Sequence, residues 1–152
     1  MDNQEFSIVR RFSSLTRLYG EKATKNFMQC HVMIAGIGGV GSWVAESLAR
    51  SGIGQLTLVD LDHIAESNIN RQVHALSSTI GKAKIEAMAE RIIEINPNCQ
   101  LNLIDDFIDS ENISLYLKQY KPQLLLDCTD QVQAKIGHCH SHCRSHHNAR
   151  TI

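Results

Sequence analysis

Val32-Met-Ile-Ala-Gly36-Ile-Gly38-Gly39-Val-Gly41 opens the most informative part of this chain, and Leu56-Thr-Leu-Val-Asp60 closes it. An apolar run leads directly into a glycine cluster, an amphipathic segment follows, and a second apolar run ends on an aspartate. This order predicts a strand, a tight turn, a helix and a second strand, with the carboxylate of Asp60 at the carboxyl end of that second strand.

Three of the glycines, Gly36, Gly38 and Gly41, fit the pattern G-x-G-x-x-G of nucleotide-binding turns. In that pattern the first glycine permits the tight turn, the second lets a phosphate approach the backbone, and the third lets the helix pack closely on the strand. Backbone N–H groups at the start of the helix attract anions. Asp60 follows at about the 20-residue spacing at which an acidic side chain holds ribose hydroxyls. These features favour a nucleotide-binding site over a glycine turn that binds no ligand.

The composition is typical of a soluble globular protein. The 152 residues fit one domain, with 43% hydrophobic and 20% charged residues. The net charge of −1 excludes a strong overall field that would recruit nucleic acid or membranes. No apolar run approaches the roughly 20 residues that span a bilayer, and the N-terminus lacks the basic-then-apolar layout of a signal peptide. We therefore expect a cytoplasmic protein with no membrane segment, whose cysteines are reduced.

Alternating strand and helix patterns predict an α/β fold: a Rossmann-like, doubly wound, mostly parallel sheet that is incomplete, with about four strands. The predicted strands are 31–35, 55–60, 100–105 and 123–127, and the predicted helices between them are 40–51, 82–95 and 111–118. Strand four should lie beside strand one at the topological switch point, which leaves strand four as a free edge of the sheet. The nucleotide-binding domain defined in this way covers residues 31–133.

The segment before this domain, residues 1–30, is predicted to be helical. Ser13 and Ser14 offer helix caps, and Gly20 should end the first helical run. A second, short helix is expected over 21–28.

The segment after the domain, residues 134–152, has a different character. It holds five of the eight histidines, has almost no apolar residues and shows no periodicity, so we expect an aberrant, disordered tail. The abrupt change resembles a shifted reading frame. A zinc site built from Cys139, Cys143 and the neighbouring histidines is the less favoured interpretation.

Two basic stretches should reach the carboxyl edge of the sheet, Ser67-Asn-Ile-Asn-Arg-Gln72 and Gly81-Lys-Ala-Lys84. Arg71 can hold phosphates with a bidentate fork. Lysines at a helix N-terminus interact unfavourably with the helix dipole. Their presence at this position is more plausible if an anion binds nearby. Taken singly, a solvated loop arginine and a basic surface turn are the competing interpretations.

Asp127-Cys-Thr-Asp130 closes strand four and should border the same crevice. Asp130 suits Mg²⁺, which takes one or two carboxylates plus phosphate oxygens, although a helix N-cap is the competing interpretation. A dinucleotide dehydrogenase does not need an arginine, a lysine and a metal-binding aspartate in one pocket. An ATP triphosphate that is attacked at its α-phosphate needs all three. The residues therefore favour ATP over NAD.

Five motifs, in this order, resemble those of the ThiF/MoeB/HesA superfamily of adenylating enzymes, relatives of ubiquitin-activating enzymes. They are Gly36-Ile-Gly-Gly-Val-Gly41, Asp60-Leu-Asp62, Ser67-Asn-Ile-Asn-Arg-Gln72, Gly81-Lys-Ala-Lys84 and Asp127-Cys-Thr-Asp130. Within the superfamily, Arg11-Phe-Ser-Ser-Leu-Thr-Arg17 and Asp105-Asp-Phe107 are similar to the group that dehydrates threonylcarbamoyladenosine in tRNA. The resemblance covers residues 10–132.

The resemblance implies an ATP site and assigns its residues. Asp60 would hold the ribose, Gly39 and Gly41 would face the phosphates, and Asp130 would hold Mg²⁺. Catalysis would rest on Arg71, Lys84 and Asp130, with Arg17 inserted into the partner's site as in family dimers. The full set of implied ATP-binding residues is Gly36, Gly38, Gly39, Gly41, Asp60, Ser67, Asn68, Asn70, Arg71, Lys84, Asp130 and Gln131.

The implied reaction is ATP-dependent adenylation of a carboxylate with release of pyrophosphate. By resemblance the carboxylate belongs to threonylcarbamoyladenosine in tRNA, which then cyclises with loss of AMP. The resemblance also implies a homodimer and a possible sulfur-relay protein partner. Family members continue beyond the Asp130 region, so we expect this chain to be a truncated, weakly active or inactive version. The alternatives are a fragment that binds ATP and Mg²⁺ without turnover and, less favoured, an NAD-dependent dehydrogenase fragment.

Overall fold

The computed structural model describes residues 3–109 and 111–130, with side chains from residue 10 onward. Helices and strands alternate through most of this range. They are α1 (Asn3–Tyr19), α2 (Glu21–Gln29), β1 (His31–Ala35), α3 (Gly41–Arg50), β2 (Gln55–Val59), α4 (Lys84–Ile95), β3 (Gln100–Ile104), α5 (Ile113–Tyr120) and β4 (Leu124–Asp127), with a 3-10 helix at Glu66–Asn68. Among these described residues, no helix is long and apolar enough to cross a membrane.

The four strands form one parallel sheet in the order β3-β2-β1-β4. β1 lies between β2 and β4, with Val32 opposite both Leu56 and Leu124. Each step from one strand to the next passes through a helix, because parallel neighbours cannot be joined by a tight turn. The predicted parallel sheet is confirmed, and so is the position of strand four beside strand one at an edge of the described sheet.

The two faces of the sheet pack against different helices, because successive side chains in a strand point to opposite faces. One face, which includes Val32 and Leu58, packs against α3 and α4. The other face, which includes Met33 and Val59, packs against α5. These four side chains are at most 1% exposed, so both faces are covered and the predicted double winding is confirmed.

A charged cluster joins α3 to α4. Glu46 on α3 is 6% exposed and accepts hydrogen bonds from Arg50, at 2.7 Å, and from Arg91 on α4. Burial raises the pKa of Glu46, but the hydrogen bonds and charges of the two arginines outweigh burial, so the pKa lies below its ordinary value. Since α3 begins at the glycine turn and α4 begins at Lys84, the cluster fixes the two helices that start at the carboxyl edge of the sheet.

The two N-terminal helices meet at Gly20, whose φ of +82° is in the left-handed region that glycine adopts readily, as the predicted break requires. The predicted caps at Ser13 and Ser14 are wrong. Both residues lie inside α1, where the Ser13 hydroxyl donates to a carbonyl oxygen three residues earlier. Arg11 Nη1 donates to the carbonyl oxygen of Glu94 at 2.8 Å and so binds the end of α4.

The segment between β2 and α4 is a long loop that is closed at its base. His63 and Ala83 form an isolated antiparallel bridge, and the Ile64 N–H donates to the Lys82 carbonyl oxygen at 2.8 Å. The predicted helix start at Lys82 is therefore too early, because Lys82 belongs to the loop base and α4 begins at Lys84.

Candidate functional site

A cavity of about 790 Å³ opens at the carboxyl ends of the four strands. Its wall is formed by residues that follow each strand and by the long loop between β2 and α4. They include Gly36, Gly38 and Gly39 after β1, Asp60 and Asp62 after β2, Asn68, Arg71 and Gln72 from the loop, Lys84 at the start of α4, Asp106 and Phe107 after β3, and Asp130 after β4. The sheet order brings these groups together from distant parts of the sequence.

The glycine turn is too tightly packed for a side chain at two positions. Gly36 has a φ of +84°, and a Cβ there would lie 3.2 Å from backbone atoms of Cys128 and Thr129. A Cβ at Gly41 would lie 1.8 Å from the carbonyl oxygen of Gly36. Gly41 thus permits the close packing of α3 on the turn, and it does not line the cavity.

Gly38 has open space beside it instead. A Cβ at this position would meet nothing within 4 Å, and the residue lines the cavity. None of the described residues accepts a hydrogen bond from the backbone N–H of Gly38 or Gly39, and α3 begins without a capping side chain. These N–H groups are available to an anion in the cavity.

Asp60 and Lys84 form a buried charged pair in the cavity wall. Asp60 Oδ2 accepts the Ile37 N–H at 2.6 Å, and its Oδ1 accepts the Asp62 N–H at 2.8 Å. Lys84 Nζ lies 2.6 Å from Asp62 Oδ2 and 3.7 Å from Asp60 Oδ1. The side chains of Lys84 and Asp60 are 8% and 9% exposed. Asp60 therefore ties β2 to the glycine turn and holds a cation beside it.

Arg71 lies over the glycine turn. Its Cδ would be 3.6 Å from a Cβ built on Gly39. Nη1 donates to the Ser67 carbonyl oxygen at 2.8 Å and to Asn70 Oδ1 at 3.0 Å. The Trp43 indole on α3 donates to the Arg71 carbonyl oxygen at 2.9 Å. The guanidinium is therefore positioned at the cavity before any ligand binds.

Two buried polar side chains belong to the same loop: Gln72, which lines the cavity, and His74, which does not. Gln72 is 6% exposed and His74 is 2% exposed. Within the described residues, nothing hydrogen-bonds Gln72 Oε1 or either ring nitrogen of His74. Burial, together with the positive charges of Lys84 and Arg91, lowers the pKa of His74 to about 4. His74 is therefore neutral at pH 7.

This pKa makes stability depend on pH. Above pH 6.5 His74 is neutral in the folded and unfolded states, whereas below it only the unfolded state takes up the proton until the pH nears 4. We expect the free energy of unfolding to fall over this window, with about 3 kcal/mol due to His74. Urea denaturation between pH 7 and pH 4, on the wild type and on His74→Leu, measures it. His31, whose pKa burial also lowers, is present in both proteins. Equal pH slopes in the two would contradict the assignment.

Most of the residues that the sequence predicts to bind ATP line the cavity. They are Gly36, Gly38, Gly39, Asp60, Asn68, Arg71, Lys84 and Asp130. Ser67 and Asn70 hold the guanidinium of Arg71 and do not line the cavity themselves. Arg17 is exposed in the last turn of α1, and it is not a cavity residue either. Gln131 and the predicted tail at 134–152, with its candidate zinc ligands, lie outside the described residues.

The cavity residues that were not assigned to the site from the sequence include four with polar or aromatic side chains: Asp62, Gln72, Asp106 and Phe107. Each of these four had a positional signal: Asp62 follows the same strand as Asp60, and Gln72 follows Arg71. Asp106 and Phe107 come shortly after a predicted strand, and position at that sheet edge was the available signal.

A parallel sheet with a glycine turn after β1, an acidic residue after β2 and two cations at the same edge defines a Rossmann-like nucleotide-binding domain. The sequence model of the ThiF family matches residues 12–142, and the chain belongs to that family. The resemblance drawn from the motifs is confirmed.

The chain is similar to tRNA threonylcarbamoyladenosine dehydratases. It is 47% identical over 133 residues to the one from Escherichia coli (strain K12), covering 86% of this chain and 49% of the relative. It is 49% identical over 142 residues to the one from Haemophilus influenzae, covering 91% and 52%. The crystal structure of the E. coli enzyme in complex with ATP matches with a TM-score of 0.84 at 44% identity, over 89% of this chain and 56% of that one. The chain spans about half the length of these relatives.

Proposed function

We propose that this chain binds ATP in the cavity and uses it to adenylate a carboxylate. One observation carries the proposal. The N–H groups of Gly38 and Gly39, which have no acceptor among the described residues, line the same cavity as Arg71 and Lys84. A triphosphate is bound through N–H groups at a helix start and through cationic side chains, and the cavity offers both. The similarity to a dehydratase solved with ATP supports this ligand.

In the proposed reaction an oxygen of the carboxylate attacks the α-phosphorus of ATP. The bond from this phosphorus to the oxygen that bridges to the β-phosphate breaks, the electron pair leaves with pyrophosphate, and an acyl-adenylate forms. Arg71 and Lys84 stabilise the negative charge on the phosphate oxygens. Because Asp62 and Asp60 already hold Lys84, little reorganisation is needed when ATP binds.

Asp130 fits the role of a magnesium ligand. It is exposed, lines the cavity, and has no hydrogen bond or ion pair with any described residue. In the described part of the chain, no group of three or more His, Cys, Asp or Glu side chains is placed to hold a metal ion. A single carboxylate suits Mg²⁺ when phosphate oxygens complete the coordination. The ion would supply neutralisation of phosphate charge.

The proposed substrate is threonylcarbamoyladenosine in tRNA, because the relatives are named for acting on it. Its adenylated carboxylate would cyclise with loss of AMP. In this proposal the protein works in the cytoplasm as a homodimer, and the exposed Arg17 of one copy reaches the cavity of the other. A sulfur-relay protein is a further proposed partner.

A second candidate function is ATP binding without turnover. It requires only the groups that would face the phosphates, and the cavity holds them. An NAD-dependent dehydrogenase suits the cavity less well. A dinucleotide does not call for Arg71, Lys84 and Asp130 together.

ATP–pyrophosphate exchange tests the proposal. We expect labelled pyrophosphate to enter ATP in the presence of tRNA that bears threonylcarbamoyladenosine. Arg71→Ala should reduce exchange by at least about a hundredfold, because a cation is lost where charge builds up. Arg10→Ala is the matched control, since Arg10 is exposed on α1 and is not a cavity residue.

Three outcomes would change the conclusion. ATP binding without exchange at any protein concentration would select the second candidate. Equal exchange with tRNA that lacks the modification would overturn the proposed substrate. Tighter equilibrium binding of NAD than of ATP would overturn the ligand itself.

A further inference from the structure

Helix α3 carries an exposed stripe that begins at the cavity. Four exposed residues follow one another at a spacing of three, four and three residues, which puts them on one face of the helix: Val40, Trp43, Ser47 and Arg50. The opposite face of α3 is buried. Val40 directly precedes the helix and lines the cavity, so the stripe runs outward from the proposed phosphate site over the surface.

Trp43 presents a fixed apolar ring near the cavity. It is 53% exposed, although it is large and aromatic. Its Nε1 donates to the carbonyl oxygen of Arg71, whose side chain lies over the glycine turn. The indole N–H is the only polar group of the side chain and is used in this bond, so the ring surface that remains exposed is apolar. One edge of the ring is therefore fixed relative to the phosphate site.

An RNA substrate needs a surface of this kind. A modified nucleoside must leave the stack of its neighbours before its carboxylate can reach the α-phosphorus of ATP in the cavity. The base beside it then loses a stacking partner. Aromatic side chains replace such partners in RNA-binding proteins, and this stacking tolerates any base because every base has a flat face. Trp43 lies one helical turn from Val40, where it can receive the flanking base.

The far end of the stripe is basic. Arg50 lines a second cavity, of about 340 Å³, together with Arg11 and Glu94. Glu46 accepts from Nε and Nη2 of Arg50 at 3.0 and 2.7 Å, and carbonyl oxygens at the end of α4 accept from Nη1 of Arg11. Both guanidinium groups are thereby oriented, and each keeps N–H donors without an acceptor among the described residues. Two guanidinium groups against one carboxylate suit a backbone phosphate.

We propose that, if the substrate is RNA as in the proposed function, a single-stranded segment of it runs along this stripe. A base that flanks the reactive nucleoside stacks on Trp43, and Arg50 and Arg11 hold a backbone phosphate. Trp43 and Arg50 are about 10 Å apart along the helix axis, a distance that a few nucleotides span. The net charge of −1 provides no overall attraction for RNA, so the affinity rests on these local contacts.

Two substitutions of Trp43 separate stacking from the hydrogen bond to Arg71. The measurement is fluorescence anisotropy of labelled tRNA that bears threonylcarbamoyladenosine. Trp43→Ala should weaken tRNA binding by about tenfold or more, as expected for the loss of one base–aromatic stack. Trp43→Phe should stay within about threefold of wild type, because it keeps an aromatic face although it cannot donate to Arg71. If Trp43 served only to hold Arg71, both variants would lose the same affinity.

Leu115→Ala is the matched control for the Trp43 variants. It removes a large apolar side chain that is 66% exposed on α5, the helix on the other face of the sheet, and it should bind tRNA like the wild type. The wild type supplies a second readout, which decides the matter if a variant does not fold by circular dichroism. Trp43 is the only tryptophan in the sequence, and tRNA should quench its fluorescence beyond the level reached with ATP alone.

The phosphate contact is tested by two changes of opposite sign. Arg50→Met should weaken tRNA binding and reduce the slope of its salt dependence by about one. Glu94→Gln should strengthen tRNA binding, because it removes the carboxylate that lines the second cavity. If Arg50 served only to hold Glu46, Glu94→Gln would leave the affinity for tRNA unchanged.

The outcomes distinguish this proposal from the proposed function. Equal tRNA binding by the wild type and Trp43→Ala, or a tRNA complex in which Trp43 fluorescence is not quenched, would overturn the RNA path and leave the proposed function standing. Quenching by tRNA without ATP–pyrophosphate exchange would overturn the proposed function and leave the RNA path standing. If Trp43→Ala changed the oligomeric state and left tRNA affinity intact, the stripe would be a contact between copies of the chain. Absence of tRNA binding by the wild type would overturn both the path and the proposed substrate.

Discussion

Gly41→Ala is expected to lower the free energy of unfolding by about 3 kcal/mol or more. The added Cβ would lie 1.8 Å from the carbonyl oxygen of Gly36 and 2.9 Å from its carbonyl carbon. Both atoms belong to the backbone of the glycine turn, so no side-chain rotation relieves the clash. The turn would have to move away from α3 as a unit. Urea denaturation followed by circular dichroism measures the effect.

Gly38→Ala is the matched control, because it adds the same methyl group to the same turn. A Cβ there meets nothing within 4 Å, so the free energy of unfolding should stay within about 0.5 kcal/mol of wild type. ATP affinity should nevertheless fall by about tenfold or more, because the methyl group occupies space where a phosphate would approach. If the two variants were equally stable, the packing argument would fail. Wild-type ATP affinity in Gly38→Ala would contradict the phosphate position.

The second large effect is expected for Lys84→Met, which should reduce ATP–pyrophosphate exchange about a hundredfold to a thousandfold. Methionine is similar in length and apolar, so the change removes the charge with little change in shape. Asp60, which is 9% exposed, would keep two backbone N–H partners and lose its nearby cation. The free energy of unfolding should therefore also fall, by about 1–3 kcal/mol.

Lys82→Met is the matched control, because it distinguishes the role of Lys84 in the cavity from the general effect of losing a nearby lysine. Lys82 Nζ pairs with Glu90 at 2.9 Å, both side chains are substantially exposed, and neither lines the cavity. Exchange should stay within about twofold of wild type, because an exposed ion pair contributes little. A comparable loss of exchange in both lysine variants would show that the charge of Lys84 has no special role.

The sheet could be predicted because its signals are local. The run into Gly36 marks a strand that ends in a turn, and the aspartate at 60 marks the end of the next strand. Each signal needs only neighbouring residues. The order of the strands then follows from general rules of parallel sheets. Ser13 and Ser14 were misread as caps because a helix can also contain serines whose hydroxyls bond to the preceding turn.

The site was less accessible to prediction because its contacts are not local. Lys84 could be assigned to the phosphates, but its ion pair with Asp62 depends on how the long loop closes. The position of Asp106 after a strand was a signal, but the orientation of its carboxylate depends on Tyr116 in the following helix. The different roles of the two lysines also become clear only in the structure. Lys82 pairs with Glu90 on the surface, whereas Lys84 lines the cavity.

The closed base of the long loop has a consequence for how this site can vary. The loop leaves and rejoins the domain at one point, the bridge between His63 and Ala83. Arg71 lies on this excursion and Lys84 follows it directly, so one local unit positions both cations. Thr79 bonds to His74 and Leu76 on one side and to the Lys82 N–H on the other, so we expect insertions or deletions around 76–80 to disturb the spacing of the two cations. The two cations are therefore coupled: a change that alters how this loop closes is expected to displace Arg71 and Lys84 together.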